Sequence, residues 1–314
     1  MTVSHTHPAG PQEHAARPLW VIKLGGRILA EVPLLDRFLA RLAASGDRFV
    51  LVHGGGEQMK QLAARLGIPQ RMVDGRRVTD EPTLELALMT FAGTLNTRFV
   101  ARMQAHGICA LGMTGADADV VRAVRRRPIE TSQGVVDFGW VGDVAPEQVN
   151  AERLSSLLAL GMRPVLCALT HDGHGQMLNT NADTLAATVA AALAHSPAAH
   201  AAGSESGESA SGESFSGESA SYLPAARNPV RLVLLSDVPG VLRDPSDPGS
   251  LIPRIDAAAS ESLIADGTIT AGMIPKIRMA LQAVARGVAG VLIGQPDRIT
   301  DILASNPGGG TYVE

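Results

Sequence analysis

At 314 residues, 45% apolar and 18% charged, the chain is long enough for one large or two medium domains with ample core. A net charge of −4 and only 3% aromatic residues supply neither the basic face nor the stacking platforms of a nucleic-acid binder. No apolar run approaches the ~20 residues of a membrane helix, and the opening MTVSHTHPAGPQEHAARP lacks a signal peptide's apolar core.

In chain order, residues 1–17 read as a disordered tail, despite His5, His7 and His14. Trp20–Leu24 and Arg48–His53 read as short buried strands, each followed by glycines and a helical pattern, VPLLDRFLARLAAS and EQMKQLAARLG. Glu81–His106 reads as one long helix, and Ile108–Gly112 and Pro164–Ala168 as strands. Between them TSQGVVDFGWVGDV alternates apolar residues around glycines, as a β-hairpin flap would. Cys109 and Cys167 lie in apolar runs, the pattern of buried free thiols in a reducing cytoplasm. Asn181–Ala194 reads as a helix, Val230–Leu235 and Gly290–Ile293 as strands, and Pro275–Arg286 as a last amphipathic helix. This alternation predicts an α/β fold around a mainly parallel sheet. The repeat GESASGESFSGESAS, Gly207 to Ser221, has almost nothing to bury and reads as a mobile insertion. It lies in a segment of about 196–228 expected to be disordered.

Lysine occurs only at positions 23, 60 and 276, while arginine makes up the rest of the 27 basic residues. A lysine kept against that bias marks a place for a compact ammonium, which a planar guanidinium does not imitate. Lys60 sits in a helical pattern and reads as a solvated surface residue. Lys23 ends a strand beside Gly25 and Gly26; Lys276 opens a helix after DGTITAGMIP. A cation near a helix N-terminus opposes the dipole, so Lys276 needs an anionic partner. VHGGGEQM again joins a buried strand to a helix through residues that let a ligand reach backbone amides. A glycine run also makes a tight turn without any ligand; two at strand ends favour anion binding. There is no Walker loop, and the spacing does not fit G-x-G-x-x-G. In MLNTNADTLAA, Asn181 and Asp183 are explained by helix capping, but Asn179 is not. Two lysines and glycine amides without a Walker loop suggest phosphoryl transfer by positioning and electrostatics.

The ordered set KLGG, VHGGG, DGRRVT, GMTGADAD, MLNTNAD, LLSDVPGVL and GTITAGMIPK resembles the amino-acid kinase family, and within it the enzymes that phosphorylate an N-acylated glutamate. The resemblance implies a three-layer αβα sandwich with a central, mainly parallel sheet. It implies an acylglutamate-binding half over 18–180 and a nucleotide-binding half over 181–314. Lys23 and Lys276 would be catalytic, with Asp183 holding both. Gly55, Gly56, Arg77 and Asn179 would bind the amino acid. Gly25, Gly26, Ser236, Asp237, Val238, Pro239, Gly240, Val241, Thr268, Ile269 and Thr270 would bind ATP. Mg²⁺ would be carried by the ATP phosphates, with no protein metal ligand. RAVRRRP and the VDFGWVGDV flap resemble a branch that uses N-succinyl-L-glutamate, whose extra carboxylate would call for a cation. Arg122, Arg125, Arg126 and Arg127 lie nearby in sequence, and a solvated basic turn is the plain alternative. The resemblance further implies a cytoplasmic homodimer little inhibited by arginine. A non-catalytic binding regulator is the alternative from another class.

Overall fold

The computed structural model describes residues 17–197, 199, 228–269, 272–304, 306 and 308–314. The N-terminal segment 1–16, the serine-rich repeat and Thr270 lie outside the described residues.

The chain begins with strand β1 (Leu19–Leu24), short helix α1 (Gly26–Ala30), α2 (Val32–Ser45), β2 (Arg48–His53) and α3 (Gly56–Leu66). A hairpin follows, β3 (Met72–Val73) and β4 (Arg76–Arg77), turning through Asp74 and Gly75, both at positive φ. That Asp-Gly pair is the chemistry a two-residue hairpin turn demands. The predicted long helix is helical throughout but not uniform. It runs as α4 (Glu81–Ala87), a π-helical stretch over Leu88–Asn96, and α5 (Thr97–Ala105). Its start is set by Asp80, whose carboxylate accepts from the Thr83 amide at 3.0 Å. Beyond it come β5 (Ala110–Met113) and β6 (Val124–Arg125), then a hairpin of β7 (Ile129–Thr131) and β8 (Gly134–Val136). The flap thus turns at Ser132–Gln133, and its later part, β9 (Gly142–Asp143), pairs with β6 instead. Helix α6 (Ala151–Ala159), β10 (Arg163–Cys167), the antiparallel pair β11 (Leu169–His171) and β12 (Met177–Asn179), and α7 (Ala182–His195) complete the first part. The remainder contributes β13 (Val230–Leu235), β14 (Arg254–Ile255), β15 (Val291–Gly294) and β16 (Thr311–Val313), with helices Ala257–Ala265, Ile274–Ala285 and Ile299–Leu303.

Eight strands form one sheet in the order β14-β16-β15-β13-β1-β2-β10-β5. From β15 to β5 every pairing is parallel; β16 runs antiparallel to β15. Both faces are buried, which is why the central strands read as unbroken apolar runs. Leu19 and Val21 join the core on the face covered by α7 and the Ile274–Ala285 helix. Trp20, Ile22 and Leu24 join the opposite core, under α2 and α5. Strand periodicity therefore puts Lys23 on the α7 face. Helix α7 is apolar all round, and every residue from Leu185 to Leu193 is buried. The two cysteines differ: Cys167 is buried, whereas Cys109 precedes β5 and is exposed, so the expectation of two buried thiols fails for Cys109.

Candidate active site

From β1 the chain moves to β2 on one side, while from the neighbouring β13 it moves away toward β14 and β15 on the other, so the connections part between β1 and β13. At such a switch point the loops after the strand carboxyl ends part and leave a crevice. A cavity of about 720 Å³ opens there, walled by Lys23, Gly26, Gly54, Gly55, Gly56, Arg77, Asn179, Asp183 and Lys276 among others.

Lys23 sits on the α7 face of β1, 15% exposed, and its Nζ lies 2.8 Å from Asp183 Oδ1. Asp183 is held there by α7, whose first turn is fixed by Asn181 accepting from the Thr184 amide at 3.0 Å. A carboxylate in that first turn is favoured by the helix dipole. Lys276 reaches the cavity from the start of the Ile274–Ala285 helix, and its Nζ donates to Ser236 Oγ at 3.4 Å. Burial pushes its pKa below the ordinary lysine value, with Lys23 adding repulsion while Asp183 and Asp237 oppose the shift. Asp183 pairs directly with Lys23, and its charge acts on Lys276 from a distance, while the Lys276 ammonium itself is hydrogen-bonded to Ser236.

The glycine loop is supported from several sides. Gln58 Nε2 donates to the Gly26 carbonyl at 2.8 Å, tying the first glycine turn to α3. Arg77 donates to the Gly56 carbonyl at 3.2 Å and to Gln70 Oε1, which places the guanidinium between loop and hairpin. Asn179 Nδ2 donates to Thr79 Oγ1 at 3.0 Å, joining MLNTNAD to DGRRVT across the sequence. Hairpin tips meet over this side: Asp74 accepts from the Ser132 amide at 3.0 Å and from its hydroxyl. Those two bonds hold the Asp74 carboxyl below the usual carboxylate range.

Of the sequence-derived residues, Lys23, Gly26, Gly55, Gly56, Arg77, Asn179, Asp183 and Lys276 line one cavity. Ser236 adjoins it through Lys276. Gly25 faces the Leu235 carbonyl, 3.6 Å from where a Cβ would stand, and is not among the lining residues. Asp237 and Val238 are exposed and Pro239 half-buried on the following loop, where Gln295 donates to the Asp237 carbonyl at 2.8 Å. Gly240 and Val241 are buried against Thr311, and Ile269 is buried with its amide on the Leu263 carbonyl. Their side-chain positions pack the core, the Val241 and Ile269 amides are already bonded, and none of the three lines the cavity. Thr268 donates its amide to Asp266, 2.9 Å away. Sequence reasoning passed over Gly54, Thr180, Thr184, Met279 and the hairpin residues Met72, Asp74 and Arg76, all on the cavity wall. The Asp-Gly turn beside Arg77 was the available signal. Arg126 also lines the cavity; it pairs with Asp143 and lies 5.8 Å from the Phe138 ring centroid. Arg122 and Arg125 are exposed and pair with Asp119 and Asp137.

A three-layer αβα sheet with a lysine–aspartate–lysine group and glycine amides at one switch point defines an anion-handling enzyme scaffold. The amino acid kinase family model matches residues 18–196 and 204–295. Acetylglutamate kinase of Bacteroides thetaiotaomicron is 42% identical over 283 residues, covering 90% of this chain and 95% of that protein. Acetylglutamate kinase of Phocaeicola vulgatus is 40% identical, covering 94% and 98%. Among solved structures, carbamate kinase from Giardia lamblia bound to AMP-PNP superposes with a TM-score of 0.59 at 16% identity, covering 95% of this chain and 98% of that one, a likeness of fold. The chain belongs to the amino acid kinase family.

Proposed function

We propose that this protein is an acetylglutamate kinase, moving the γ-phosphoryl group of ATP to the side-chain carboxylate of N-acetyl-L-glutamate in arginine biosynthesis. One observation carries the reading: Lys23, Asp183 and Lys276, far apart in sequence, meet in a cavity walled by glycine backbone. In the reaction a carboxylate oxygen attacks the γ-phosphorus, the bond to the β,γ-bridging oxygen breaks, and ADP leaves with its electron pair. The product is an acyl phosphate. Both reactants are anionic, so the chain's task is to bring them together and absorb charge. An ammonium ~4 Å from the migrating group supplies about 4 kcal/mol at an effective dielectric of 20. Asp183 offsets the repulsion between the two lysines before substrate arrives.

In this reading Lys23 and Lys276 contact the phosphoryl group and Asp183 positions them. Gly25, Gly26, Gly55 and Gly56 offer amides. Arg77 binds the α-carboxylate in a bidentate fork, and Asn179 binds the acylamino acid. The acylglutamate occupies the half built from 18–180. ATP occupies the half from 181–314, along Ser236 to Val241 and Thr268 to Thr270. Magnesium enters with the ATP phosphates. The cavity suits that arrangement: its walls supply ammoniums and amides, and Asp183 is already engaged by Lys23. The assembly is a homodimer and the compartment the cytoplasm.

The alternative acyl group is succinyl. Arg126 on the cavity wall favours it, while the engagement of Arg126 by Asp143 leaves that cation already balanced and favours acetyl. Trapping the acyl phosphate with hydroxylamine, from acetyl- and succinyl-glutamate in parallel, tests both. Hydroxamate formed with ATP and acetylglutamate supports the proposal. No hydroxamate from either substrate refutes it, and at least tenfold higher kcat/KM for succinylglutamate reassigns the substrate.

A further inference from the structure

His53 ends β2 immediately before the glycine loop, and it is fully buried. Strand periodicity turns it, with Phe49 and Leu51, to the α5 face. There the Phe99 ring meets it edge-on with centroids 6.1 Å apart. A buried imidazole must satisfy both nitrogens. Nδ1 lies 2.7 Å from the Gly54 carbonyl, an acceptor, so Nδ1 carries the proton. Nε2 lies 3.2 Å from Asn96 Nδ2, which also donates to the Val165 carbonyl at 3.0 Å. One amide nitrogen facing two acceptors fixes the Asn96 orientation and, through it, the histidine tautomer.

The elements around this pair are shaped to admit it. A Cβ on Gly112 would collide with Asn96 Oδ1, so β5 passes close only because Gly112 has none. Asn96 is the last residue of the π-helical stretch, whose Leu95 and Phe91 press on Gly55. Single-turn π geometry inside helices recurs at functional sites; here the longer stretch brings Leu95 and Phe91 against Gly55 and Asn96 against His53.

We infer that His53 and Asn96 are a positioning pair that aims the Gly55 N–H into the active-site cavity. A trans peptide points its carbonyl and its amide hydrogen to opposite sides. Holding the Gly54 carbonyl inward against His53 therefore turns the Gly55 amide outward, and Gly55 is on the cavity wall. The inference rests on the kinase reading, in which that amide meets the transferring phosphoryl group. Burial keeps His53 neutral, with its pKa pushed down to about 4. The titratable neighbour on the adjacent strand is Cys167, opposite it in register, whose thiol burial pushes up to about 12. Neither group changes charge near neutral pH.

Two measurements test this. The first is independent of turnover: imidazole ¹⁵N shifts of the full chain at pH 7 should show His53 protonated on Nδ1 alone. An Nε2–H tautomer or an imidazolium overturns the inference whether or not the protein is a kinase. The second compares His53→Asn, which keeps a donor near the Nδ1 position, with His53→Gln, which keeps a partner near the Nε2 position. His53→Gln should lower kcat at least tenfold with either KM changed less than threefold, and His53→Asn should recover most of that loss. Equal kcat losses, or a change confined to Tm, overturn the positioning role. Should either variant fail to fold, Asn96→Asp replaces it. Its carboxylate draws the proton to Nε2 and frees the Gly54 carbonyl, so kcat at pH 8 should fall at least tenfold with Tm kept; an unchanged kcat in the folded variant overturns the inference.

Discussion

Lys23 Nζ and Asp183 Oδ1 stand 2.8 Å apart, joining the end of the central strand to the first turn of the helix that covers it. The pair exists because β1 alternates faces and α7 packs on the face Lys23 takes. Lys276 senses both: its pKa is moved by Asp183 in one direction and by Lys23 in the other. Asp183→Asn keeps the shape and deletes the shared counter-charge. We expect kcat to fall by roughly 10²-fold, the scale of losing one preorganised electrostatic group, with KM for ATP changed far less. Lys23→Ala and Lys276→Ala should each lower kcat by roughly 10²–10³. Steady-state kinetics on folded variants decides, and full activity in any of the three removes the proposed centre.

The lowered pKa of Lys276 has a sign that can be read twice. Burial is the main cause, so the folded state releases this proton more readily than the unfolded chain. In activity, the free enzyme's ammonium is lost as pH rises, and kcat/KM should decline on the alkaline side at a lower pH than an ordinary lysine would give. In stability, the unfolded state binds more protons between the lowered pKa and the ordinary value. This group's contribution therefore increases with pH across that window. A kcat/KM–pH profile carried to pH 10 checks the first, and the residual activity of Lys276→Met should lack the alkaline limb.

His53 has the same sign at the acid end. Its neutral form is buried, so protonation favours unfolding as pH falls from its ordinary 6.5 towards about 4. From pH 7 to 5 the loss from this residue is about 2 kcal/mol, the linkage integral at 1.36 kcal/mol per pKa unit. The carboxylates held low, Asp36, Asp74 and Asp119 among them, act below that range. Urea unfolding at pH 7 and pH 5 should show the difference, and His53→Gln should remove most of it.

Gly55→Ala puts a methyl group against Leu95 and 2.9 Å from Phe91 Cδ1. Overpacking of this kind costs about 1–3 kcal/mol, and relief requires the π stretch or the loop to move. We expect a lower Tm and at least a tenfold loss of kcat. Gly56→Ala is the control, since the nearest atom there is the end of the flexible Arg77 side chain at 3.8 Å. It should leave Tm close to the parent's.

Arg77→Lys keeps charge but loses the fork that spans Gly56 and Gln70. A point charge on a flexible stem does not replace a planar bidentate donor. KM for acetylglutamate should rise at least tenfold while KM for ATP stays within threefold. Equal changes in both would place Arg77 outside the amino-acid subsite.

The strands Arg48–His53 and Val230–Leu235 and the helix boundaries near Val32, Asn181 and Pro275 were legible in the chain, because buried runs, caps and proline are local signals. Lys23 and Lys276 stood out as lysines in an arginine-rich chain, whereas Asp183 read locally as a first-turn helix acid and was singled out only by the family resemblance. What the sequence could not decide were contacts whose partners lie far along the chain. Leu88–Asn96 departs from α-helical geometry where Asn96 reaches β2 and β10 and Gly112 leaves room for it. Cys109 and Cys167 sit in equally apolar runs, yet only the strand interior buried its thiol. Local residues thus determined the elements and the identity of the charges. Packing two sheet faces determined which charges meet, since the side a residue faces is local while the element waiting on that side is not.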